Sequence, residues 1–377
     1  MIPQSIRLGK IMGIEVGVNY SWFIVFGLVT VLLAAFYFPF QYKNLSELTY
    51  LFLGVVTSLF FFGSVLLHEL THSLVARTRG IPIKSITLFI FGGVANMTKE
   101  PERPRDEFLM AVAGPGMSIA LAVVFGVIWL LSETLGLGVL VSAPARYLAF
   151  INFILGIFNL VPGFPLDGGR VLRSFLWYVM EDLTKATRIV SWFGQGFAFL
   201  LIFIGFYLIF IARGFWLNGI WLIFIGWFLQ QAAAASYEQV LLRGTLMGVK
   251  VADIMTRDVK TVDGSLNLTE LVNDYFMRYK HGRFPVMSDD QLIGTITLHE
   301  VRDVPRDQWS EIAVKDVTPA LSPKEIIVSG EVAENALAKM AEGNLGHLLV
   351  IDDGQLIGIV TKSDVLGVVQ VKRGLGV

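Results

Sequence analysis

The sequence contains no cysteine, which excludes a disulfide framework, a thiolate metal site and a cysteine nucleophile. It is also short of charge: 16% of its 377 residues are Asp, Glu, Lys or Arg, against about 25% in an ordinary soluble domain. Neither sign dominates, with 30 basic and 31 acidic residues. The basic excess of a nucleic-acid binder is therefore missing, and no nucleic-acid partner is expected. Histidine is scarce, with five in the chain. What the chain has in quantity is apolar side chain: 54% of residues are hydrophobic and the mean hydropathy is +0.63. That excludes a disordered chain. Its uneven distribution argues against a wholly soluble one.

The charges divide near residue 245. Residues 246–377 carry 33 of the 61 charged side chains, a soluble density. Within the preceding part, six stretches have no charge at all: 16–42, 48–67, 108–132, 147–166, 189–212 and 214–237. Each reaches the ~20 residues that a helix needs to cross ~30 Å of hydrocarbon, so residues 1–240 are expected to form a six-helix membrane domain. The segment before the first stretch carries Arg7, Lys10 and Glu15 and no small-residue cleavage site, so it does not read as a removed signal peptide. With the N-terminus inside, the inner segments hold Arg7, Lys10, Arg77, Arg79, Lys84, Lys99, Arg103, Arg105, Arg170, Arg173, Lys185 and Arg188. The outer loops hold Lys43, Arg146 and Arg213. This asymmetry predicts a multi-pass cell-membrane protein whose N-terminus and soluble part are cytoplasmic.

Residues 85–98, SITLFIFGGVANMT, are apolar but too short to span. β-Branched residues around Gly92-Gly93 read as a hairpin. Non-helical backbone at membrane depth is tolerated against protein or a wet cavity, which gives a partly re-entrant β-hairpin on the cytoplasmic side. An ordinary surface hairpin is the alternative.

The second stretch runs into LFFFGSVLLHELTHSLVAR. Ionisable groups inside a span cost roughly 2.5–3.5 kcal/mol each on insertion scales, so His68, Glu69 and His72 together need a reason. The histidines are four apart and share a helical face. That suits two imidazoles on one zinc ion, with Glu69 placed as general base for an attacking water: the HExxH arrangement of zinc peptidases. A polar cluster on a proton or ion path is the alternative. A catalytic zinc takes a third protein ligand. His281, His299 and His347 lie in the soluble part, which leaves a carboxylate among Glu133, Asp167, Glu181, Asp182 and Glu238. Asp167 is set apart by its apolar surroundings, NLVPGFPLDGGR. Pro162 and Pro165 break the helix there and let Asp167 turn inward at the depth of His68. Its competing role is to cap a helix starting near Gly168. Asn159 and Asn152 precede Asp167 at two-turn spacing. An amide there can stabilise an oxyanion or bridge helices. The AGPG of the third stretch reads as close helix packing.

HELTH within a span, AGPG in the third and NLVPGFPLDGGR at the fourth together resemble the site-2 protease family of intramembrane zinc metalloproteases, over about residues 1–235. The resemblance implies one Zn²⁺ per chain on His68, His72 and Asp167, Glu69 as catalytic base and Asn159 as a transition-state stabiliser. It also implies a membrane-spanning protein substrate within the lipid bilayer, usually a tethered regulator already trimmed elsewhere. The hairpin would offer an edge to an unwound substrate through strand addition. No PDZ-like domain is evident in the loops.

Residues 246–377 contain a duplication: HGRFPVMSDDQLIGTITLHEV (281–301) aligns with GHLLVIDDGQLIGIVTKSDV (346–365), and QLIG recurs 64 residues apart. Each unit reads strand, helix, two strands, helix. This is similar to a tandem pair of CBS domains, here 246–306 and 307–377. The resemblance implies a soluble α/β module that binds a regulatory adenine nucleotide and forms a homodimer. In that family a Thr/Ser-x-x-Asp binds the ribose. Thr361 and Asp364 match it, whereas Thr297 and Glu300 depart from it by the longer glutamate. A purely structural module is the alternative. The function expected is intramembrane zinc metalloendopeptidase, regulated by nucleotide. A CBS-gated ion transporter or channel with an intramembrane metal site is the runner-up, and the carboxylate of Glu69 separates the two, since a transport site does not need it.

Overall fold

The computed structural model describes residues 5–90, 92–97, 100–212, 215–289, 291–343 and 345–375, the side chain of residue 373 excepted. Lys99 and Arg213 of the charge comparison, Phe91 and Thr98 of the hairpin and Asp290 of the repeat lie outside them. The chain forms two compact units, Met1–Val240 and Leu241–Val377.

In the first unit the charge-free stretches become long helices: α1 (Tyr20–Gln41), α2 (Glu47–Thr78), α3 (Pro104–Thr134), α4 (Val139–Asn159), α6 (Leu183–Phe210) and α7 (Trp216–Leu246), each long and apolar enough to span a bilayer. Helices satisfy every backbone group internally, which hydrocarbon demands. Asn19 and Ser46 open α1 and α2 by accepting from backbone N–H groups with their side chains. Phe40, Phe203 and Phe210 are among many large apolar side chains left exposed along these helices. On a protein in water that surface would be an aggregation site; against acyl chains it costs nothing. The fourth stretch, expected over 147–166, is shifted. Its helix begins at Val139 and takes in Arg146, whose guanidinium lies 5.7 Å from the Trp129 ring centre. It ends at Asn159, and the Pro/Gly segment then turns into a separate amphipathic helix, α5 (Asp167–Met180).

A four-stranded sheet packs on α2: β1 (Ser5–Ile11), β2 (Ile14–Asn19), β3 (Ile83–Phe89) and β4 (Gly92–Met97), in the order β1-β2-β3-β4. The β2–β3 pair is parallel and the outer pairs antiparallel. Ile14 and Ile86 cluster with Leu70 of α2, which anchors the sheet beside the HELTH segment. The hairpin expected around Gly92-Gly93 is present, but the glycines are not its turn. They start β4, pairing with Phe89 and Leu88. Gly93 faces α2 so closely that a Cβ would collide with the Glu69 side chain.

The second unit holds two three-stranded sheets. One is β5 (Val262–Asp263), β6 (Arg283–Ser288) and β7 (Gln291–Thr297). The other is β8 (Ile326–Ile327), β9 (His347–Asp352) and β10 (Gln355–Thr361). In each, a parallel pair is followed by an antiparallel hairpin, the strand–helix–strand–strand order read from the duplication. Within this unit the two repeats interlock. Val251, ahead of the first sheet, is buried in the core around β8–β10, and Val314, ahead of the second, in the core around β5–β7.

Candidate metal centre

His68 and His72 sit one turn apart on α2, buried at 5% and 7% exposure. Their Nε2 atoms are 3.2 Å apart, and Oδ2 of Asp167 lies 3.1 Å from each. These three atoms form a group fit to hold a metal ion. Tetrahedral zinc with bonds of about 2.0–2.1 Å keeps its ligand atoms roughly 3.3 Å apart, close to the spacing found. The outward nitrogens are also engaged. His72 Nδ1 donates to the Met110 carbonyl at 2.6 Å, so its proton is on Nδ1 and Nε2 is free to ligate. His68 Nδ1 is 2.9 Å from Ser118 Oγ. Partners of this kind fix ring orientation in metal sites.

Both partners come from α3, and Gly114 between them shows why. A Cβ there would collide with Nε2 of both histidines. The glycine of AGPG, expected to serve helix packing, lets the α3 backbone form one wall of the centre. Asp167 is the first residue of α5. Its carboxylate meets the histidines, while the cap position falls to Leu166, which makes no side-chain cap.

Glu69 opens onto a cavity of about 210 Å³, with Asp167, His72 and Arg170 in its wall beside the apolar Ile83, Val94, Met97 and Met110. β4, one of the sheet's two edge strands, forms one side of it. Behind the wall, Glu107 of α3 is fully buried. It accepts from Arg173 Nε at 2.7 Å and from Nη2, and Arg170 Nε stands 3.9 Å away. Arg173 also stacks 5.1 Å from the Phe164 ring centre. These contacts tie α3 to α5.

The geometry thus brings together His68, Glu69, His72 and Asp167 but not Asn159. The Asn159 amide donates back to the Leu155 carbonyl at 3.0 Å, and its side chain does not line the cavity. Asn152 bridges helices instead, donating to Ser64 Oγ of α2 at 3.2 Å. Sequence reasoning missed Ser118, Met110, Glu107 and Arg173 as partners and Gly93 as the contact to Glu69. Their roles depend on which helices meet, and no local pattern encodes that.

In the second unit Thr361 N and Oγ1 each donate to Asp364 Oδ2 at 2.8 Å. Thr297 N donates to Glu300 Oε2 at 2.9 Å, and its Oγ1 donates to the same oxygen. Both pairs lie where the last strand of a sheet enters a helix. Partial burial pushes the Glu300 carboxyl up, but the bonds from Thr297 outweigh it and hold the group below the usual range. At equivalent starts of β6 and β9, Arg283 Nη1 donates to His347 Nδ1 at 3.0 Å. Burial, reinforced by the guanidinium, pushes the imidazole down to about 4.

The sequence matches Peptidase family M50 over residues 56–137 and 132–203, and CBS domain over 251–307 and 314–371. It is 34% identical to a Synechocystis protein named as a zinc metalloprotease, over 97% of this chain and 96% of that protein. It is likewise 34% identical to a Mycobacterium tuberculosis protein with the same designation, over 98% and 94%. Among solved structures it is similar to the site-2 protease of Methanocaldococcus jannaschii, at 30% identity over 62% of this chain and 95% of that one, with a TM-score of 0.39.

Proposed function

This chain belongs to peptidase family M50 and is a multi-pass zinc metalloprotease with two CBS domains; from that premise we propose that it hydrolyses a peptide bond in or near the transmembrane segment of a membrane protein, using His68, His72 and Asp167 as zinc ligands and Glu69 as catalytic base. The observation that carries this reading is the meeting of three ligand atoms within 4.8 Å, from residues up to 99 apart in sequence, with Glu69 beside them in the cavity wall. The family relationship favours hydrolysis over ion transport.

Bound there, zinc would activate water and polarise a carbonyl. The protein's own groups do the rest. Glu69 takes the proton of the attacking water and returns it to the leaving amine. Met110 and Ser118 hold the imidazoles in ligating orientation. β4 leaves one edge unpaired, and an unwound substrate adds to it as a further strand. The sheet therefore acts as a partly re-entrant platform. The lysine and arginine asymmetry supports a cytoplasmic N-terminus and CBS module.

The module binds an adenine nucleotide that regulates cleavage and pairs the chain as a homodimer. Support comes from Thr361 and Asp364, a carboxylate of the kind that accepts ribose hydroxyls in nucleotide sites. Calorimetry of the full chain with ATP, ADP and AMP tests it: saturable heat lost in Asp364→Ala is expected, and absence of heat with all three contradicts it. The peptidase assignment is tested with a membrane-anchored reporter. Wild type cuts it, Glu69→Gln does not, and equal cleavage by both overturns the mechanism.

A further inference from the structure

Asn159 does not line the cavity and gives one of its amide N–H groups to Leu155, so a donor for the oxygen of a reacting carbonyl has to come from the cavity wall itself. Arg170 is placed to be that donor. It lies three residues after Asp167 on α5, so both side chains leave the same helical face, and both line the cavity with Glu69. Its side chain is 19% exposed, buried enough that unspent hydrogen-bonding capacity is costly.

The charges around it explain why that capacity is free. Two arginines face one carboxylate. Arg173 takes Oε1 of Glu107 through two N–H donors, and Arg170 is left with a loose 3.9 Å approach to the same oxygen. Among the described residues it makes no hydrogen bond. Oε2 of Glu107 makes no hydrogen bond among the described residues, so neither arginine is drawn to it, and the guanidinium of Arg170 stays on the cavity side with the carboxyl groups of Glu69 and Asp167 in the same wall. Ser73, in the same wall, is 1% exposed, and its hydroxyl has no partner among the described residues. A cavity with these two unspent polar groups beside its apolar side chains suits a peptide backbone, whose carbonyls and N–H groups need partners once its helix is unwound.

We propose that Arg170 is a catalytic residue that donates hydrogen bonds to the scissile carbonyl oxygen as it becomes an oxyanion. Water oxygen bonds to the carbonyl carbon, its proton passes to Glu69, and the C=O π pair moves onto the oxygen facing Arg170. When the pair returns, the C–N bond breaks and the proton goes from Glu69 to the amine. The products are a carboxylic acid and an amine, which separate as carboxylate and ammonium once the acid's proton passes to the amine. A preorganised donor acts most strongly on such developing charge in a water-poor site.

This rests on the proposed hydrolysis, and the two are separated experimentally. Reporter cleavage is measured for wild type, Glu69→Gln, Arg170→Ala and Arg170→Lys, with zinc content determined on each. Arg170→Ala is expected to lower kcat by about 10²–10³-fold, with KM within about threefold and zinc still bound. Added guanidinium ion is expected to restore part of its activity and none of that of Glu69→Gln. Arg170→Lys, which keeps the charge but loses the fork, is expected to fall between. A wild-type kcat in Arg170→Ala, an effect confined to KM, or activity lost in step with zinc overturns the role of Arg170. If Arg170→Ala fails to fold, a wild-type kcat in Arg170→Lys overturns it. Equal cleavage by wild type and Glu69→Gln sinks the hydrolytic reading instead.

Discussion

Four carboxylates, two in each unit, are held in opposite ways. In the soluble unit, Glu300 and Asp364 are satisfied three residues away by Thr297 and Thr361. The bonding is local, and a helix-capping role accounts for it without any ligand. In the membrane unit, Asp167 finds its partners 95 and 99 residues away. Glu107 and Arg173 meet over 66 residues. Polar groups in such surroundings are costly and persist where something compensates for all of them at once. The lesson concerns inference: a carboxylate with a local partner is weak evidence for a site, whereas one delivered to two buried imidazoles by tertiary structure is strong evidence.

The largest effect that could break this contrast is loss of the metal. Asp167→Ala leaves two imidazoles without their acid. Zinc content near zero is expected from elemental analysis; full retention would make Asp167 as incidental as a cap. Next comes the Glu107–Arg173 pair. Removing one member strands the other's buried charge, so Arg173→Ala is expected to destabilise the membrane unit by about 3–5 kcal/mol, read as a lower unfolding midpoint in detergent. The double Glu107→Gln/Arg173→Met should be milder than either single change.

His347 sharpens the comparison from the other side, because it makes a long-range polar contact within the soluble unit, to Arg283. Its pKa is depressed from about 6.5 to about 4, so the fold favours the neutral ring. The stabilisation is complete above pH 6.5 and is lost as pH falls through 4, in all on the order of 3 kcal/mol. Hydrogen exchange of β9 in the full chain should quicken over that range, and His347→Gln should flatten the dependence. The smallest effect is Thr361→Ala, which removes a cap and should cost about 1 kcal/mol. A much larger loss confined to nucleotide affinity would show that the Thr361–Asp364 pair is more than local bonding.

Much of this was legible beforehand, for physical reasons. Hydrocarbon excludes charge, so the charge-free stretches marked all six spans, and the duplication marked both sheets. His68, Glu69, His72 and Asp167 stood out because such residues are out of place among apolar neighbours. Errors arose where tertiary packing overruled local signals. Arg146 lies inside α4 against Trp129, so the fourth span starts earlier than its charge-free stretch. Gly92-Gly93 resembles a turn, yet the room needed by Glu69 makes Gly93 a strand residue. Asn159 has the spacing of a site residue, and one N–H of its amide donates to the Leu155 carbonyl of its own helix, a contact that the spacing does not foretell. Ser118, Met110 and Glu107 were invisible, since a serine, a backbone carbonyl and one glutamate gain meaning from the helix they face.

The most direct measurement is X-ray absorption at the zinc edge on purified Glu69→Gln protein, which retains the ligands while halting turnover. The account predicts one zinc per chain with two imidazole nitrogens and carboxylate oxygen at about 2.0–2.2 Å, and loss of one imidazole's scattering in a His72→Ala derivative. Protein free of zinc, or zinc whose environment is unchanged in that derivative, would contradict it.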